Sequence, residues 1–100
     1  MIQGTTPTIR LTFPFDARLL EKVEVSFLKG RSYGDPEIAL SKTVTEITDE
    51  RIEIPLTQEE TRLMDGLTII EVRAKTLTGG VIGFSHVAKV MRRTASEVDL

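Results

Sequence analysis

The chain has 100 residues, 11.1 kDa, a net charge of −2 and a pI near 5.4. That is the size of one domain, expected to span 1–100 around one core. The balance argues against the basic surface that nucleic-acid binding needs. With no cysteine and one histidine, disulfide scaffolds, thiolate zinc sites, cysteine nucleophiles and multi-histidine metal centres are excluded. No apolar run reaches the roughly 20 residues of a membrane helix, and no signal-peptide pattern follows Met1. The expectation is a soluble domain without cofactor or membrane partner.

Val, Ile and Thr supply 30 of the 100 residues, a composition that favours strands. Residues 1–6 are polar or small and predict a loose arm. Ile9, Leu11, Phe13 and Phe15 then alternate with Arg10, Thr12 and Pro14, predicting a strand from Thr8 to about Phe13, where Pro14 ends it. Asp16 to Leu20 predicts a turn or a single helical turn, with Asp16 as N-cap. Val23, Val25 and Phe27 mark a second strand, Lys22 to Leu28. The Gly30–Pro36 stretch has the composition of a loop. Ile38 and Leu40 mark a third strand, extended by Val44 towards Ile47, and Thr48-Asp49-Glu50 a turn.

Ile52, Ile54 and Leu56 mark a fourth strand. Thr57-Gln58-Glu59-Glu60 is a capping-box pattern opening a short helix that Asp65-Gly66 stops, with Leu56 placed to pack on Thr61. The longest signal is a hairpin: Leu67 to Leu77, a Thr78-Gly79-Gly80 turn, then Val81 to Met91. The tail 92–100 is charged and expected to fray. Short turns and no helical crossovers imply antiparallel sheets. The expected fold is all-β: an antiparallel immunoglobulin-like β-sandwich of six or seven strands with one short helix, with a small barrel as the second choice.

The sequence offers little catalytic chemistry. Ser85 and His86 are neighbours on a strand, so they point to opposite faces and cannot act as nucleophile and base. Alternation places His86 with Ile82, Phe84, Ala88 and Val90 on the inner face, as a half-buried histidine. The acid pairs Glu59/Glu60 and Asp49/Glu50 fall in a cap and a turn, and Asp35 and Glu37 match no calcium loop. Glu71, Arg73 and Lys75 suggest a charged ladder, with Lys89 as a cross-hairpin partner. No catalytic, cofactor or metal residue is assigned, and the chain is read as a non-enzyme.

One pattern points elsewhere. Leu28, Ile69, Val81, Val87 and Met91 fall on the face opposite the presumed core, where a solvated sheet should be polar. Such a set marks a protein–protein contact or a face covered by the helix, arm or tail. A second class of reading is a sugar- or peptide-binding sandwich with a pocket at Arg31, Tyr33 and Asp35 in the loop.

The opening Gly4-Thr5-Thr6-Pro7-Thr8, the strand ending at Pro14, the Leu56–Thr61 cap, Gly66, Glu71-Val72-Arg73 and Gly80-Val81 together resemble a known pattern. It is that of the N-terminal immunoglobulin-like domain of baseplate upper proteins from phages of Gram-positive bacteria, and of small prophage structural proteins. The resemblance implies a non-enzymatic tail or baseplate adaptor or assembly piece, made in the bacterial cytoplasm and carried in the virion. Its partners would be other phage structural proteins or further copies of itself. Nothing in the motifs follows the sandwich that would recognise a receptor, so assembly or decoration is the implied role.

Overall fold

The structure is a computed structural model that describes residues 1–29, 37–64 and 66–91. Its elements are β1 (Thr8–Leu11), a 3₁₀ turn (Ala17–Leu19), β2 (Leu20–Lys29), β3 (Glu37–Val44), β4 (Ile52–Pro55), α1 (Gln58–Arg62), β5 (Gly66–Thr76) and β6 (Val81–Val90). They form two antiparallel sheets, β1-β4 and β3-β2-β5-β6, as the alternation predicts. The order matches the immunoglobulin arrangement: β1 and β4 stand where strands B and E do, and β3, β2, β5 and β6 where C′, C, F and G do.

The core lies between the sheets. Leu11, Ile52, Ile54 and Leu56 face Val23, Val25, Phe27, Ile70, Val72 and Ala74 in one buried cluster. Every second residue of β2 and β5 enters it, which is the physical content of the period-two pattern. Thr68 shares that inner face, and its Oγ1 is the one buried side-chain polar atom among the described residues with no hydrogen-bond partner.

Local chemistry sets the connections. Asp16 caps the 3₁₀ turn by accepting the Arg18 N–H at 2.9 Å. Thr57 caps α1: its Oγ1 accepts the Glu60 N–H at 3.1 Å, while Glu60 Oε1 accepts the Thr57 N–H at 2.9 Å. The final hairpin turns at Gly79, whose φ of +95° favours glycine, and the Thr76 N–H donates to the Gly80 carbonyl at 2.8 Å.

Four expectations are corrected. The first strand ends at Leu11, because its partner β4 begins at Ile52 and leaves Thr12 nothing to pair with. Phe13 is buried all the same, with its ring 5.7 Å from that of Phe15 and edge-on to Phe84 at 5.9 Å. Residues 1–6 are not a loose arm. Ile2 bridges Met91 in parallel, Gln3 Nε2 donates to the Met64 carbonyl at 2.6 Å, and the buried Gly4 N–H donates to Thr61 Oγ1 at 2.9 Å. Thr61 Oγ1 in turn lies within donating distance of the Thr5 carbonyl at 2.9 Å and the Gln58 carbonyl at 3.0 Å, which share its one proton.

The third correction concerns β3, which ends at Val44 rather than running on towards Ile47; within it Ile38 and Leu40 share a parity but not a face. Leu40 pairs with Phe27 and Ile38 with Leu28, so a bulge at Ala39 turns Leu40 inward and Ile38 outward. The fourth is the charged ladder. Lys89 lies opposite Leu67, Glu71 opposite Ser85, and Lys75 pairs with Glu21 at 3.7 Å. The Gly30–Pro36 loop, with Arg31, Tyr33 and Asp35, and the tail 92–100 lie outside the described residues.

A clamp that the sequence did not disclose joins the two sheets. Lys42 of β3 donates to the Pro55 carbonyl at 2.9 Å and to Glu60 Oε1 at 3.0 Å, so β4 and α1 sit over the β3 side of the larger sheet. The carboxyl of Glu60 is held below its ordinary value of 4.5, chiefly by the Thr57 N–H and, against the opposing effect of burial, by the Lys42 ammonium. A lowered folded value means that the stabilisation is complete above the unfolded value and fades as pH falls through the folded one. In urea titrations from pH 7 to 3, the wild type will lose stability below about 4.5, and Glu60→Gln, which keeps a capping-box side chain, will flatten that loss. Equal acid slopes in the two proteins would refute this.

Candidate functional site: the outer face of the large sheet

The register builds this face row by row, since residues opposite one another in an antiparallel ladder share a face. Towards the turn of the last hairpin it is charged, with Lys22 opposite Lys75 and Glu24 opposite Arg73. The next row is polar, Ser41-Ser26-Glu71-Ser85 from β3 to β6, with the Ser26 and Ser41 hydroxyls 3.4 Å apart. Then comes an apolar row across all four strands: Ile38-Leu28-Ile69-Val87. Leu67 and Met91 extend it towards the arm.

Of the five residues proposed from the sequence, the structure gathers four. Leu28, Ile69 and Val87 form the row, and Met91 lies beyond it with 56% of its surface exposed. Leu28 departs from expectation: only 8% of it is exposed, because Ile38 and Ile69 flank it on the outer face. It is the buried centre of the row, and the accessible surface belongs to its neighbours. Val81 stands apart, opposite Lys75 and six residues from Val87, about 20 Å along the strand.

Two accessible residues were missed, Ile38 and Leu67, at 62% and 60% exposed. Leu67 was legible, since it shares the parity of Ile69. Ile38 was not, because only the bulge sends it outward.

The catalytic alternatives find no support in the geometry. Ser85 and His86 are consecutive in β6, Ser85 opposite Glu71 on the outer face and His86 opposite Ile70 on the inner. His86 is exposed rather than half-buried, because the two-stranded sheet stops short of β6. Glu60 serves the cap and the clamp, and Glu53 pairs with Arg10 at 3.5 Å. Among the described residues, no group of three or more His, Asp or Glu side chains is placed to hold a metal ion, and no helix is long and apolar enough to cross a membrane.

The outer face is an apolar strip with a serine and carboxylate border, the layout of a protein contact with a dehydrated centre and a polar rim. Four strands spaced about 4.8 Å apart and about ten residues long span roughly 600 Å², close to one side of a standard interface of about 800 Å². No family model, curated protein or solved structure matches this chain.

Proposed function

We propose that the chain is a non-enzymatic assembly module of a phage or prophage tail, acting by protein–protein contact through the Ile38-Leu28-Ile69-Val87 row. The observation that carries the contact is that row: four apolar side chains in register across the whole width of the sheet's outer face, directly beside the polar Ser41-Ser26-Glu71-Ser85 row. Solvent gives no reason to collect them on one line, and a partner does. The place in a virion is supported by the motif resemblance, which runs from Gly4 to about Met91. The partner is then another tail protein or a further copy of the chain.

Sedimentation velocity tests the contact. The wild type will assemble, alone or with the tail proteins encoded beside it, while Ile69→Lys and Val87→Asp will remain folded and bind at least about 100-fold more weakly. A charge buried without a partner costs about 3 kcal/mol or more, and 1.4 kcal/mol is a factor of ten. A wild type that stays monomeric at high concentration and takes up none of those proteins would defeat the proposal. A gene neighbourhood without tail, holin or lysin genes would defeat the virion role alone.

A further inference from the structure

Among the described residues the inner side of the large sheet is only partly covered. Lys42 holds β4 over the β3 side of the large sheet, β1 lies beside β4 towards β5, and among the described residues nothing beyond β1 covers β6. A cleft of about 350 Å³ opens there, walled by Ile9, Leu11, Ile70, Val72, Phe84 and His86. Phe84 points into this inner side yet leaves 42% of its surface exposed. It is an aromatic ring in a core position without a full core around it.

The cleft lies between two unpaired strand edges. Among the described residues β1 pairs only with β4, and β6 only with β5, apart from the contact of the arm at its last residues. From Val81 to Ala88 the β6 edge has no described partner, and its one permanent charge, Lys89, lies outside that span. Proline is absent from β6 as well. Proteins ordinarily blunt a long edge with charge, proline or cover.

The arm shows how this edge accepts a strand. Met91 N–H donates to the Met1 carbonyl at 2.8 Å, Gln3 N–H donates to the Met91 carbonyl at 3.0 Å, and Ile2 and Met91 pair in parallel. A strand continuing that line towards Val81 runs parallel to β6. Its alternate side chains then fall over Phe84 and His86.

We infer that the open β6 edge binds an extended segment of a partner protein, about eight residues long, apolar at every second position and parallel to β6, which completes the sandwich. A second copy fits less well. A two-fold pairing of β6 with itself is antiparallel, and it would extend the sheet while leaving the cleft and the β1 edge unfilled. This inference is independent of the outer face, which points the opposite way.

The test uses the full-length Ile69→Lys protein, so that a contact at the outer face cannot contribute. The probes are four nonapeptides with Lys at both ends and Thr alternating with Val, Ile, Leu or Phe. At least one should bind saturably, shift the amide resonances of Val81–Ala88 and slow exchange of the outward amides at least tenfold. A nitroxide at the N-terminus of the peptide should broaden signals near Val81. Phe84→Glu should weaken binding at least tenfold, and Phe84→Ala should weaken it with the fold intact. The inference is overturned by silence of β6 at millimolar peptide, by broadening near Ala88 instead of Val81, by equal binding of backbone N-methylated peptides, or by a dimer built through β6.

Discussion

Phe27→Ala will cost the domain about 3–5 kcal/mol, a third or more of the stability of an ordinary domain. Phe27 is the largest of the fully buried side chains, and its in-register neighbours are Leu40 on β3 and Ile70 on β5. Phe27 is held between β3 and β5 in a four-stranded sheet, so the backbone closes little on the void, and the cavity term adds to the lost transfer term. Urea titration of the two proteins will show a lower midpoint with little change in slope. A loss below about 1 kcal/mol would mean that the sheets do not pack across Phe27 as described. The comparison with Ile69→Lys is instructive. Ile69 lies one residue from Ile70 in β5 but on the outer face, so its replacement should spare the fold and strike the contact.

Thr61→Val will destabilise the protein by about 2–3 kcal/mol and free the N-terminal arm from β6. The hydroxyl accepts the Gly4 N–H and donates to the Thr5 carbonyl from a fully buried position in α1. Valine fills the same space and offers neither function, so the buried Gly4 N–H loses its partner, and an orphaned buried donor costs more than a hydrogen bond contributes. The melting temperature should fall by roughly 8–16 °C for a domain of this size. Exchange at the amides of Gln3 and Met91, which join the arm to the edge, should speed up. Thr61→Ser keeps the hydroxyl and should restore slow exchange. Fast exchange in the serine variant would show that the methyl group, rather than the hydrogen bonds, anchors the arm.

The contrast between these residues shows where sequence reasoning succeeds. Thr57 and Glu60 are three apart, and three residues is the reach of a capping box, so the cap was legible. Val23, Val25, Phe27, Ile70, Val72 and Ala74 alternate along uninterrupted strands, and each faces the core as spacing implies. Ile38 failed the same rule because one bulged residue inverts every parity beyond it. Leu28 carried the right face and the wrong exposure, since its cover comes from two other strands.

Strand positions, the helix cap and the hairpin turn follow from neighbours within about five residues, and so they are written in the order of the amino acids. The Lys42 clamp joins residues 13 and 18 apart, and the seat of the arm on Thr61 joins residues 57 apart. Those pairings decide which half of the large sheet is covered, which edge stays open and which apolar side chains meet in a row. No local pattern encodes them, because their energies arise only once distant strands are in register. The elements of this sandwich are therefore a property of its sequence, while its contact surfaces are a property of its assembly in three dimensions.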